Sequence, residues 1–218
     1  MRILFQGDSI TDADRLKTED GLGYGYPRYA AELIRGNHPE IEFEFINRAV
    51  GGNRICDLAD RWQRDCIGLK PDVVSVLIGV NDCLKYYLNP KSHLPDEDFE
   101  RMYRGILTAT REQTGAGIII LEQFTVDHNT YNRDFYDDLF RKIRITRHLA
   151  RELADAFIPL DGIFAETVVG PGVWPDMFSG DSIHLFESGH RIIARHYADA
   201  FEKVLSRVTG KGLNTSGE

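Results

Sequence analysis

The sequence predicts an α/β protein, a three-layer αβα sandwich built on a five-stranded parallel sheet. Short apolar, β-branched runs recur at residues 3–5, 43–46, 73–78, 118–121 and 157–160. Longer segments with helical periodicity separate them. Buried strands that alternate with helical crossovers form a parallel sheet with helices on both faces.

The first run, Ile3-Leu4-Phe5, leads into the turn Gln6-Gly7-Asp8-Ser9. The helical segment 26–35 follows and opens with Pro27, a residue tolerated in a first helical turn. The second run ends before Gly51-Gly52-Asn53. Segment 55–69 then places Ile55, Leu58, Ala59, Trp62 and Cys66 on one helical stripe. The third run, the most apolar, ends at Gly79-Val80-Asn81-Asp82. Helices are expected at 99–114, around Phe99, Met102, Tyr103, Ile106 and Leu107, and at 135–156, around Phe135, Leu139, Ile143 and Leu149. Segment 189–208 closes the fold with Ile192, Ile193, His196, Tyr197 and Phe201. Right-handed crossovers put the C-terminal ends of all strands on one edge, where ligands of such sheets bind. The three turns after the first three strands are therefore expected to meet.

The chain has 218 residues, 42% of them hydrophobic and 28% charged. That is enough for one sizeable core and too little for two full domains. Residues 1–209 read as a single domain and the polar stretch 210–218 as a flexible tail, where Asn214-Thr215-Ser216 matches a glycosylation sequon by chance. A net charge of -8 and the lack of a Lys/Arg block disfavour a nucleic acid partner. No apolar run is long enough to span a bilayer, and the opening one is shorter than a secretory signal core. Cys56, Cys66 and Cys83 are odd in number and form no CxxC pair, so free buried thiols are expected. A cytoplasmic location fits these features. The oligomeric state is left open, a homo-oligomer included.

Ser9 stands just past a strand end, where Gly7 allows a tight turn to present its hydroxyl; taken alone, Gly-Asp-Ser is a weak signal and reads better as the cap of a following helix. Asp181-Ser182-Ile183-His184 is more specific. A carboxylate three residues before an imidazole can bond its Nδ1 and leave Nε2 free to take a proton from a serine, and histidine is the natural base near neutral pH. Glu187-Ser188-Gly189-His190 repeats the spacing. It reads as the decoy, because His190 lies near the start of the last helix, where it packs or caps. Gly51-Gly52 and the Asn81 amide can donate to an oxyanion; each alone is also compatible with a plain turn.

The blocks Gly7-Asp8-Ser9-Ile10, Gly51-Gly52, Gly79-Val80-Asn81-Asp82 and Asp181-x-x-His184 resemble the four signature blocks of the GDSL/SGNH hydrolases, in that family's order and across nearly the whole chain. The resemblance implies a flavodoxin-like SGNH hydrolase fold with a Ser9, Asp181 and His184 triad. It also implies an oxyanion hole of the Ser9 and Gly52 N–H groups and the Asn81 side chain. Gly52 is preferred to Gly51 because it is the sixth residue of the loop that starts at Asn47. Within the family, the stretches at 7–12 and 70–82, with Ala59-Asp60-Arg61-Trp62 and Asp65, are similar to bacterial carbohydrate and xylan acetylesterases. Ile10, Leu185 and Gly180 depart from that pattern, where leucine, proline and tryptophan occur, and leave the triad intact.

The expected function is hydrolysis of short acyl esters, chiefly O-acetyl groups on carbohydrate such as a xylo-oligosaccharide, through an acyl-enzyme, with no metal or organic cofactor. Trp174 and Tyr26 are candidates to meet a sugar ring, and Asp8 is a third candidate substrate contact; Trp62 is expected in the core. The alternatives are a lysophospholipase- or arylesterase-type acylhydrolase and a non-catalytic carbohydrate-binding protein. A metallophosphoesterase would need Asp-x-His or Gly-His-x-His ligand motifs, which are missing, and the glycines at 21–25 lack phosphate-loop spacing.

Overall fold

The first strand of the chain lies inside the sheet, not at its edge. In the computed structural model, which describes residues 1–127 and 129–210, β1 (Arg2–Gly7) is flanked by β2 (Glu44–Asn47) and β3 (Val73–Leu77), with β4 (Gly117–Leu121) and β5 (Ala156–Ile158) continuing outward from β3. Every pairing is parallel. The order β2-β1-β3-β4-β5 reverses direction between β1 and β3. At such a switch point the crossovers leave on opposite faces and open a crevice at the strands' C-terminal ends.

Alternate side chains of each strand feed two cores. Ile3 and Phe5 of β1 pack with Tyr26, Ala30 and Ile34 of α2 (Tyr26–Asn37) and with Tyr197 and Phe201 of α8 (Glu187–Val208). Leu4, Val74 and Val76 face the opposite way, onto Leu58 and Trp62 of α3 (Ile55–Asp65) and Tyr103 and Leu107 of α5 (Asp96–Thr114). Trp62 is a core residue as expected, and its indole N–H donates to the Thr110 hydroxyl at 3.0 Å. Helix α6 (Arg133–Leu153) is capped by Asn132, whose side chain accepts the Phe135 N–H. Cys66 and Cys83 are buried and Cys56 half-buried, all as free thiols.

Several boundaries differ from the sequence expectation for identifiable reasons. The helix expected at 135–156 stops at Leu153, because Asp155 turns to the sheet: its N–H donates to the Ile118 carbonyl and its carboxylate accepts the Ile118 N–H. Ala156 therefore opens β5. The strand expected at 157–160 ends before Pro159, and Leu160 starts helix α7 (Leu160–Val168). The helix expected at 55–69 ends at Asp65 and continues as a 3₁₀ turn, Ile67–Leu69. Two further helices, α1 (Ser9–Asp12) and α4 (Val80–Leu88), occupy motifs read as turns. Among the described residues no helix is long and apolar enough to cross a membrane. From residue 211 onward the expected tail, with its sequon at Asn214, lies outside the described residues.

Candidate active site

Ser9 is the first residue of α1, directly past the C-terminal end of β1. Gly7 pairs with Leu77 in the sheet, and a Cβ at Gly7 would lie 2.5 Å from both the Leu77 carbonyl oxygen and Thr11 Oγ1. Only glycine allows the chain to turn this close to β3. Asp8 caps α1, its Oδ1 accepting the Ile10 N–H at 3.1 Å. The expectation of Asp8 as a substrate contact is corrected here: its side chain is fully buried. Tyr26 is corrected in the same way. It starts α2 facing inward, with no exposed surface, its ring against Phe5 and Tyr197 and its hydroxyl 3.2 Å from that of Thr11. Trp174 is 66% exposed, on the segment between α7 and the Asp181 loop, and is not among the residues that line the cleft beside Ser9.

Ser9 Oγ lies 2.9 Å from His184 Nε2, and His184 Nδ1 lies 2.6 Å from Asp181 Oδ2. The carboxylate fixes the tautomer: Nδ1 carries the proton it donates, so Nε2 presents a lone pair to the serine hydroxyl. Asp181 Oδ1 accepts the N–H groups of His184 at 2.7 Å and Ile183 at 3.0 Å. Partial burial works against the Asp181 charge, but the His184 ring and these N–H groups outweigh it and hold the carboxyl below its usual range. The loop is fastened from outside by the segment after β4. The Val126 N–H donates to the Ser182 carbonyl, Thr130 meets the Ser182 hydroxyl, and the Tyr131 hydroxyl donates to the Asp181 carbonyl at 3.1 Å. Ser182 itself has φ +67°.

His190 has a different task. It is buried, and its Nδ1 accepts the Tyr26 N–H at 3.2 Å, capping α2. Burial pushes its pKa down to about 4, so the ring is neutral. Glu187, its supposed partner, bonds Arg191 at 2.7 Å instead.

The two glycines of the second turn are also distinguished. The Gly51 N–H is committed to Asp12 Oδ2 at 3.0 Å, whereas the Gly52 N–H, at φ +77°, meets no acceptor among the described residues. A Cβ on Gly51 would lie 3.8 Å from Ser9 Cβ, so this loop runs beside the serine. Asn81 Nδ2 donates one proton to the Asn53 carbonyl at 3.1 Å, which leaves its second proton available. Asp12, three positions past Ser9, is a site residue that sequence reasoning does not reach. Its function depends on a partner 39 residues away, which spacing does not reveal. Asn47 does more than start its loop. Buried, it donates to the carbonyls of Thr11 and Leu22 and accepts the Ala49 N–H, tying three loops together.

A cleft of about 590 Å³ opens beside Ser9 and His184, with Asp12, Asp14, Tyr24 and Glu187 on its walls. Side-chain exposures of 55% for His184 and 51% for Asp181 make the site open to bulky molecules. Among the described residues no group of three or more His, Cys, Asp or Glu side chains could hold a metal ion.

Asp82, beside Asn81, accepts the Ile55 N–H at 3.2 Å and so anchors the start of α3 from the interior. Burial pushes its carboxyl up to about 7, against the pull of that N–H and of the Lys142 and Arg54 charges. An unfolded aspartate titrates at about 3.9. Between these values the folded protein keeps a proton that the unfolded chain has released. The group therefore favours folding at low pH, and this contribution is lost as pH rises through the window. Asp82→Asn retains an acceptor for Ile55 without the charge. It should raise Tm at pH 8 and change it little at pH 4; equal shifts in melts at both values would contradict the assignment.

Residues 5–192 match the model of the GDSL-like lipase/acylhydrolase family. An acetylxylan esterase of Geobacillus stearothermophilus is 31% identical to the chain, over 94% of the chain and 97% of that protein. The crystal structure of Axe2, an acetylxylan esterase from the same organism, superposes with a TM-score of 0.81 at 29% identity, covering 93% of each chain. LAE5, an alpha/beta hydrolase enzyme from the metagenome of Lake Arreo, Spain, superposes with a TM-score of 0.83 at 26% identity, covering 93% of this chain and 95% of its own.

Proposed function

The chain belongs to the GDSL-like lipase/acylhydrolase family, and from that premise we propose that it removes O-acetyl groups from carbohydrate, such as a xylo-oligosaccharide, with Ser9, His184 and Asp181 as its triad. The observation that carries the proposal is the continuous run of hydrogen bonds from Ser9 Oγ through both ring nitrogens of His184 to Asp181.

Ser9 Oγ attacks the ester carbonyl carbon as His184 Nε2 takes the hydroxyl proton. The carbonyl oxygen becomes an oxyanion, which the N–H groups of Ser9 and Gly52 and the free amide proton of Asn81 receive. Asp181 stabilises the imidazolium that forms. His184 then returns the proton to the leaving alcohol, and the C–O bond breaks to give acetyl-Ser9. Water attacks this ester, giving its proton to His184, and the serine is restored as acetic acid departs.

Support for the carbohydrate comes from the acetylxylan esterase relatives and from the cleft. Its walls combine Ile10, Ala13, Tyr29 and Leu185 with Asp12, Asp14, Glu187 and Tyr24, a mixture that suits a sugar ring, and the carboxylates disfavour a long alkyl chain beside them. The test is a panel of acetylated xylo-oligosaccharides set against acyl esters of increasing length. The proposal expects kcat/KM to be highest for the acetylated sugars and to fall steadily from acetyl to octanoyl esters. A lysophospholipid turned over faster than any acetyl ester would replace it with the long-chain acylhydrolase reading, and no turnover at all would favour a binding protein.

A further inference from the structure

We propose that Arg61 of α3 is a positioning residue that braces all three oxyanion donors at once. The inference rests on the reading of Ser9, Gly52 and Asn81 as those donors, and it adds what holds them in register.

The Arg61 side chain is only 10% exposed, so its hydrogen bonds face little competition from water. Its Nε donates to Asn53 Oδ1 at 2.8 Å, and one Nη donates to the Arg48 carbonyl at 2.7 Å and to Gln6 Oε1 at 2.9 Å. The other Nη reaches the Gly7 carbonyl at 3.4 Å. Asp65, one helical turn on, lies 3.4 Å away as counter-ion, and its own carbonyl accepts the Gln6 amide at 2.7 Å.

These bonds reach each donor through the backbone. Gly7 lies two residues before Ser9, at the end of β1. Arg48 and Asn53 bracket the loop that carries Gly52, held at its two ends by the same guanidinium. Asn53 is the joint: its side chain accepts from Arg61 and its carbonyl accepts from the Asn81 amide. One planar group thus links the first strand's end, the glycine loop and, through Asn53, the start of α4. A lysine cannot reproduce this, because three donors on one nitrogen do not span acceptors set around a flat fork.

Displacing a catalytic constellation by about 1 Å can cost about 100-fold in rate. Arg61→Met should therefore lower kcat by about that factor with little change in KM, and Arg61→Lys should recover only part of it. The inhibition constant of a boronic acid, whose tetrahedral adduct on Ser9 needs the same donors, should rise in parallel. Asn53→Ala should lower kcat as well, and the double variant should be no worse than Arg61→Met alone, since both cut one path.

Asn81→Ala separates this inference from the reading beneath it. If Asn81→Ala leaves kcat unchanged, the oxyanion assignment itself fails. If it lowers kcat by about 100- to 1,000-fold while folded Arg61→Met and Asn53→Ala keep wild-type kcat, Arg61 is no brace. A loss expressed in KM, or additive losses in the double variant, would also overturn the inference. Should Arg61→Met fail to fold, Asn53→Ala and Arg61→Lys carry the same comparison.

Discussion

Ser9→Ala should lower kcat by up to about a millionfold while the protein stays folded. In the proposed mechanism the hydroxyl supplies the only atom of the protein that bonds to the acyl carbon. Its removal leaves water as the nucleophile, with the oxyanion donors and the cleft still in place. Residual turnover about 1,000- to 10,000-fold above the uncatalysed rate is then expected from those parts. Stability should change little. Ser9 is half-buried, and its one side-chain hydrogen bond goes to His184, which water can satisfy because more than half of that side chain is exposed. Initial rates on an activated acetyl ester, together with circular dichroism and Tm, check both halves. Near-normal turnover in a folded variant would end the proposed mechanism.

His184→Ala should be similarly severe, and His190→Ala should not. Without His184 nothing in the site takes the Ser9 proton, and the leaving alcohol receives none. His190→Ala removes instead the acceptor of the Tyr26 N–H at the start of α2, where loss of a cap costs about 0.5–2 kcal/mol. That variant should therefore lose Tm and retain most of its rate. An inactive His190→Ala beside an active His184→Ala would show that the two have been exchanged.

The α/β architecture was legible because β-branched runs at the sheet's centre leave little choice of structure, and because Asp-x-x-His brings its two side chains together within one loop. What escaped was set by distance. Asp8 stands beside the nucleophile in sequence, yet its carboxylate turns inward to cap α1, and Tyr26 faces the core because α2 begins with that side against the sheet. Whether a polar side chain meets substrate or an internal N–H depends on which face of its element is covered, and neighbours in the chain do not tell. Helices α1, α4 and α7 were missed because four to nine residues show too little periodicity to stand out from a turn. The sequence around Arg61 carries a family resemblance but no sign of what its side chain bonds. Its acceptors lie 8, 13, 54 and 55 positions away, so its role exists only in the folded chain.

The serine and its imidazole partner are separated by 175 positions. Neither end of the domain therefore holds the pair alone: the hydroxyl meets its acceptor only where the start of α1 and the loop before α8 come together in the folded chain.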